Sequence, residues 1–270
     1  MNILLLTQIG GSNMFIVFNK RKIYSYLVSF STVVILFAIA FTVTTDSSII
    51  TSATARELPI YNVDTKENKI SLTMNCAWNA DDIDSILQTL KDNNVKITFF
   101  MVGDWVDKFP EAVKRISDAG HEIGNHSNTH PHVNNLSSDE NIKQIQDASS
   151  KIEKITGNKT ILYRAPYGEY NNIVIRSAKS ASHVPIQWNL DTVDYTGITG
   201  DEMWKRLENK LSGGSIILMH NGTKHTADSL DMLIKNIKSK GYDIVTVSNL
   251  IYKDSYYIDN NGTQHLNNNV

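Results

Sequence analysis

The stretch TFFMVGDWVDKFPEAVKRISDAGHEIGNHSNTHPH, residues 98–132, contains most of a strand, a helix, a second strand and a histidine-rich segment that follows directly. The apolar run at residues 95–102 is typical of a buried strand, and a second short strand is predicted at 121–125. Residues 110–119 have apolar side chains at three- and four-residue spacing, begin with a proline and precede Gly120, as an amphipathic helix does. This order predicts two parallel strands with a helix packed against them.

The same alternation continues through residues 69–252, which we predict to be one folded domain. Further strands are predicted at 70–74, 161–164, 184–190, 215–220 and 242–247, and further helices at 81–91, 138–155, 171–181, 201–211 and 227–240. The pattern predicts an α/β fold, either a distorted seven-stranded (β/α) barrel or an open doubly wound sheet. In both arrangements the functional site is expected at the carboxyl ends of the strands.

A membrane-spanning helix is predicted at residues 24–43, which are uncharged, mostly apolar and long enough to span about 30 Å as a helix. The basic residues 20–22, Lys-Arg-Lys, precede it, and the positive-inside rule keeps such a flank in the cytoplasm. Residues 1–23 are therefore expected to be cytoplasmic, residues 44–68 to form a polar stalk, and the domain to lie outside the cytoplasm as part of a single-pass membrane protein.

Two features of the amino-terminal region leave alternatives open. Residues 53–55, Ala-Thr-Ala, resemble a signal-peptidase site, so the domain could instead be secreted after cleavage. Met14 is an alternative start to Met1. At the other end, residues 253–270 are rich in asparagine and are expected to be disordered.

The composition excludes some classes of protein. The 270 residues carry 26 basic and 28 acidic side chains, a balance that argues against a nucleic-acid-binding surface. Cys76 is the only cysteine, so the chain forms no internal disulfide.

Polar residues recur where the predicted strands end. His126 and His130 follow one strand at a four-residue spacing that suits a shared divalent metal. Three other strands are followed or ended by Arg164-Ala-Pro-Tyr-Gly168, by Asp191 and Asp194, and by His220. Asp194 is equally compatible with a turn residue. Trp78 and Trp188 could stack on a sugar ring, but buried packing is the expected role of each.

These motifs, in this order, resemble those of the polysaccharide deacetylases of carbohydrate esterase family 4, the NodB homology domain, over residues 69–252. The resemblance implies that His126 and His130 bind metal and that His220 is the general acid. It implies that Asp191 pairs with Arg164 and that the backbone N–H of Tyr167 stabilises the oxyanion.

The first motif departs from the family pattern, Thr-Phe-Asp-Asp-Gly, in which the first Asp is the base and the second binds metal. Here residues 73–78 read Thr-Met-Asn-Cys-Ala-Trp, which places Asn75 at the base position. For the third metal ligand we favour Asp81 or Asp82, and Cys76 is the alternative.

The resemblance implies metal-dependent removal of N-acetyl groups from an extracytoplasmic polysaccharide, with peptidoglycan as the first expectation and zinc as the expected ion. Because Asn75 cannot act as a carboxylate base, the alternative is an impaired domain that binds glycan. A structural envelope protein with a relic site is a third hypothesis.

Overall fold

The computed structural model describes residues 3–9, 12–18, 20–45 and 55–267. Two compact units are present, Met1–Ala55 and Arg56–Val270. Residues 46–54, which include most of the candidate cleavage site and part of the predicted stalk, lie outside the described residues. So do Met1 and residues 268–270.

The first unit contains two strands and one long helix. Strand β1 (Ile3–Ile9) pairs antiparallel with β2 (Ser12–Phe18), and helix α1 spans Lys20–Thr45. Its segment Lys20–Ala38 is long and apolar enough to cross a membrane. The prediction of one apolar amino-terminal helix is confirmed, and its role as an anchor stays a prediction.

The second unit alternates strands and helices, as the sequence predicts. Its elements are β3 (Asn62–Val63), β4 (Lys69–Cys76), α2 (Ile83–Asp92), β5 (Thr98–Met101), α3 (Gly103–Lys108), α4 (Pro110–Asp118), β6 (Glu122–Asn125), α5 (Ser138–Thr156), β7 (Leu162–Tyr163), α6 (Asn172–Ser180), β8 (Val184–Pro185), β9 (Leu190–Asp191), α7 (Gly200–Leu207), β10 (Ile216–His220), α8 (Thr226–Ser239), β11 (Asp243–Ile244), α9 (Val247–Leu250), β12 (Tyr256–Ile258) and β13 (Thr263–Leu266).

The parallel strands of the main sheet run in the order β8-β7-β6-β5-β4-β10-β9, and β11 adds to β4. If the two edges β8 and β9 are placed next to each other, the strands follow one another around a circle in the order of the chain, as they do in a barrel. In a doubly wound sheet, by contrast, the strand order reverses at one strand. Within residues 55–267 no strand pairing joins β8 to β9, so the barrel is open there. The predicted seven-stranded distorted barrel is confirmed.

Strand β4 shows how alternating side chains divide the two layers of the core. Ile70, Leu72, Met74 and Cys76 pack into the cluster between the sheet and its covering helices. The intervening side chains point into the barrel instead, because successive residues of a strand face opposite sides. Asn75 therefore faces the site and Cys76 faces away from it.

Two domain boundaries differ from the predicted ones. The fold begins before residue 69, because Ile60 is buried and bridges to Ile186, and because β3 continues the domain upstream of β4. Residues 253–270 were expected to be disordered, which is wrong for 256–266.

Polar contacts, which leave little apolar periodicity in the sequence, hold this carboxyl-terminal segment. β13 pairs with β12 and β3, and the buried Gln264 amide bonds both the N–H and the carbonyl of Tyr252. His265 lies between the carboxylates of Asp64 and Asp259.

Candidate functional site

An open cleft of about 480 Å³ lies at the carboxyl ends of the barrel strands. Its lining combines ionisable, amide and aromatic side chains: Asn75, Ala77, Trp78, His126, His130, Tyr167, Gly168, Trp188, Asp191, Tyr195, Leu218 and His220. The fold thus brings most of the sequence-predicted site residues together. Arg164 lies beneath the lining, and Asp81 lies outside it.

One part of the lining is the histidine pair that follows β6. The His126 ring is buried, and its Nδ1 lies 2.7 Å from the carbonyl oxygen of Arg164. Because that oxygen only accepts, Nδ1 carries the proton and Nε2 has a free lone pair, the form in which a neutral imidazole binds metal. The His130 ring lies 5.0 Å from the His126 ring, on a backbone with a φ of 55°.

Burial sets the charge of this pair. Desolvation lowers the pKa of His126 well below its ordinary value, and the neighbouring His130 adds to the effect. Desolvation also lowers the pKa of His130. Both rings are therefore neutral near pH 7, as metal ligands must be.

On the opposite wall, His220 ends β10 and is held by a buried carboxylate. Its Nδ1 lies 2.8 Å from Oδ1 of Asp194, and its backbone N–H donates to Oδ2 over 2.6 Å. The Thr226 hydroxyl donates to the same Oδ2. Asp194 is thus both a turn residue and the partner that orients the imidazole.

The sequence predicted no such role for Asp194. The sequence feature that points to this role is the position of Asp194, which lies at the end of the segment after β9, the strand next to β10. Adjacent parallel strands bring their following loops together.

The floor of the cleft contains a buried arginine that no carboxylate among the described residues bonds directly. Arg164 is fully buried, and its guanidinium donates to Oγ1 of Thr73 over 2.8 Å, Oδ1 of Asn75 over 3.0 Å and the Gln187 carbonyl over 3.0 Å. Burial lowers the pKa of Arg164 to about 9, although the charge of Asp191 opposes this shift. The direct pair with Asp191 that the resemblance implied is thus not formed, and Oδ1 of Asp191 accepts from the N–H of Val193.

The residues considered as a third metal ligand do not join the histidine pair. Cys76 packs in the core, where burial raises the pKa of its thiol well above the ordinary value. Asp81 is exposed and lies in a different surface depression, beside Lys108 and Phe109. The Asp82 carboxylate accepts from Asn221 and from the N–H of Gly222.

Among the described residues, no group of three or more His, Cys, Asp or Glu side chains is arranged to hold a metal ion. The tautomer of His126 suits a metal ligand, but the pair with His130 alone does not complete a three-ligand site.

Aromatic side chains form the rim. Trp78 lies 5.3 Å from the His220 ring and is 49% exposed, so the expectation of buried packing is wrong for this residue. Tyr195 meets the same ring edge-on, 5.6 Å away. Tyr167, at a φ of 57°, exposes its ring and stacks on His132.

Comparison with known proteins identifies relatives of this domain. The polysaccharide deacetylase family model matches residues 62–186. The uncharacterized protein YlxY of Bacillus subtilis is 34% identical over 193 residues, which make up 72% of this chain and 60% of YlxY. A peptidoglycan-N-acetylglucosamine deacetylase of Bacillus cereus is 33% identical over 186 residues, 67% of this chain and 68% of that protein.

Two solved structures of one related protein are also similar to this chain. BA3943 of Bacillus anthracis, a CE4 family pseudoenzyme, matches with a TM-score of 0.70 and 33% identity over 77% of this chain and 72% of that one. A BA3943 mutant with restored enzymatic activity matches with a TM-score of 0.69 and 36% identity, over 71% and 70% of the two chains.

Proposed function

Because the chain belongs to the polysaccharide deacetylase family, we propose that its cleft binds an N-acetylated polysaccharide of the cell envelope and is impaired in hydrolysing it. The barrel and the cleft at its strand ends suit a saccharide ligand, and the exposed rings of Trp78, Tyr167 and Tyr195 offer flat apolar faces for sugar rings.

The observation that carries this proposal is the presence of Asn75 at the position where the family has its carboxylate base. Its side chain replaces the carboxylate base, and positioned general bases typically contribute roughly a hundred- to ten-thousandfold to a rate. Of the neighbouring acids, Asp194 supports His220 from behind, and Asp191 lines the cleft with its Oδ1 bonded to the backbone of its own turn. Among the described residues, no third metal ligand joins His126 and His130, which also supports impaired hydrolysis.

Relatives and the amino-terminal helix suggest which polysaccharide is bound and where. The Bacillus cereus relative is a peptidoglycan-N-acetylglucosamine deacetylase, which makes peptidoglycan the first ligand to test. Helix α1 begins with the basic residues 20–22, so we propose that the domain lies outside the cytoplasm, anchored by this helix.

A second candidate function is metal-dependent hydrolysis of the N-acetyl group, which two observations favour. The His220 and Asp194 pair is arranged as a general acid with its supporting carboxylate, and His126 is in the tautomer that a metal requires. The BA3943 mutant with restored activity is a precedent for the recovery of hydrolysis in a related pseudoenzyme.

The test measures binding and hydrolysis on the same preparation, the full chain purified in detergent with zinc added. Calorimetric titration with N-acetylglucosamine oligomers and peptidoglycan fragments is expected to give saturable binding, while an enzymatic acetate assay detects no release. Acetate release that disappears in both His126→Ala and His220→Ala would overturn the proposal in favour of the second candidate. Absence of binding to every glycan would refute both.

A further inference from the structure

The orientation of the Asn75 amide is fixed by its neighbour. Arg164 Nη1 lies 3.0 Å from one of the two amide atoms, and a guanidinium donates hydrogen bonds but never accepts them. The atom facing Arg164 is therefore the carbonyl oxygen, so an amide flip is excluded by chemistry. The Nδ2 amino group then points the other way, toward the cleft that Asn75 lines.

This amino group is available to a ligand. Within residues 55–267 no protein acceptor bonds Asn75 Nδ2, whereas Oδ1 is engaged with Arg164. The Arg164 side chain is itself held by Thr73 and by the Gln187 carbonyl, so the amide cannot rotate without breaking a buried network. The floor of the cleft therefore presents a fixed pair of N–H donors.

An aspartate at this position would present the opposite polarity. Its carboxylate would offer acceptors and a negative charge, both suited to a water proton or an ammonium group. The amide offers donors, and the positive charge of Arg164 lies directly behind it. Asp191 is the acidic group in the cleft lining, and its Oδ1 accepts from the N–H of Val193.

We propose that the domain is a reader of N-acetylation, which binds acetylated glycan in preference to deacetylated glycan because Asn75 Nδ2 donates to the acetyl carbonyl oxygen. This inference rests on the proposed glycan-binding function and deepens it. An intact N-acetyl group supplies the acceptor that the donor pair requires. The ammonium group of a deacetylated sugar has no acceptor and would leave the amide unpaired beside a second cation.

The experiment compares N-acetylglucosamine tetramer with glucosamine tetramer by calorimetric titration of the full chain in detergent. A chelator is present throughout, so that metal-dependent hydrolysis does not consume the acetylated ligand. Wild type is expected to bind the acetylated tetramer at least about fivefold more tightly, the scale of one buried donor left unpaired. Asn75→Asp, which keeps the side-chain shape, is expected to abolish or reverse that preference.

The matched control is Asn158→Asp, which makes the same change of charge on an exposed residue outside the cleft and should leave the preference unchanged. Equal affinity of wild type for the two tetramers would refute the reader hypothesis and leave the proposed function standing. A preference that survives Asn75→Asp would also refute it, since the amide would then not be its cause. Binding of neither tetramer nor of peptidoglycan fragments would refute the proposed function itself.

Discussion

Two neighbouring parts of the cleft solve the same problem, a buried ionisable group, in opposite ways. On the wall formed by His220, the imidazole and the fully buried Asp194 form a complementary pair, and Thr226 satisfies the remaining carboxylate oxygen. On the floor, the fully buried Arg164 donates to neutral oxygens, of which Asn75, the register partner of His220 on the adjacent strand, provides one. We call these parts the paired wall and the unpaired floor, because no carboxylate among the described residues bonds the guanidinium.

The contrast bears on the proposed function. A paired carboxylate and imidazole hold a proton donor in a fixed orientation. An arginine that faces an amide orients that amide but creates no proton acceptor. Under the proposed function, His220 is therefore oriented as an acid, whereas Asn75 is a hydrogen-bond donor and not a base. The paired wall and the unpaired floor are expected to respond oppositely to a change in charge.

The largest effect is expected on the paired wall. Asp194→Ala removes the acceptor of three hydrogen bonds and leaves the buried donors of His220 and Thr226 unpaired. We expect the free energy of unfolding to fall by about 3 kcal/mol. Urea denaturation of residues 56–270, followed by circular dichroism, measures it.

Asp194→Asn is the matched control, because an amide oxygen in the place of Oδ2 can still accept from the His220 N–H and the Thr226 hydroxyl. Its loss should be clearly smaller than that of Asp194→Ala. An unchanged urea midpoint in the alanine variant would show that the carboxylate does not hold this wall.

On the unpaired floor, the introduction of a charge should stabilise the domain. Asn75→Asp gives Arg164 a carboxylate at hydrogen-bond distance, and we expect the free energy of unfolding to rise by about 1–2 kcal/mol. Pairing would depress the pKa of the new carboxyl in the folded state. The gain should therefore be present above the unfolded value of about 4 and be lost as the pH falls through the folded value.

Denaturation at pH 7 and at pH 3, with Asn158→Asp as the charge-matched variant, checks this prediction. The exposed substitution should show no comparable gain. A loss of stability in Asn75→Asp at pH 7 would mean that the cost of burying the carboxylate exceeds the benefit of pairing, and the description of Arg164 as an unpaired cation would fail.

The sequence predicted the parts of this site that depend on local spacing. Alternating apolar runs predicted the parallel barrel, and the positions of His126, His130 and His220 at strand ends predicted their convergence at one edge of the sheet. The strand alternation that places Cys76 in the core was also present in the sequence, since it shares the period of Leu72 and Met74. This alternation argues against the Cys76 thiol as a metal ligand.

The parts that could not be predicted depend on contacts between distant segments. Asp194 reaches His220 across 26 positions, and the orientation of Asn75 is decided by Arg164, 89 positions away. The strand β13 escaped prediction for a similar reason, because it pairs with β3 and because His265 is held by Asp64, 201 positions away. Polar contacts of this kind leave no periodic signal.

The smallest effect on stability is expected at the rim beside the paired wall, where a substitution should instead change the affinity for glycan. Trp78 is half exposed against His220, so Trp78→Ala should change the free energy of unfolding by less than about 1 kcal/mol. If the ring stacks on a sugar, affinity for the acetylated tetramer should fall roughly two- to tenfold, the range of one aromatic contact.

Tyr257 provides the matched control for Trp78, because it is similarly exposed and stacks on His265 at 5.0 Å, outside the cleft. Tyr257→Ala should leave the affinity unchanged, as measured by the same titration. Equal losses in the two variants would mean that exposed aromatic rings contribute nonspecifically. A loss confined to Trp78→Ala would place the sugar against the paired wall, beside the His220 ring that Trp78 contacts.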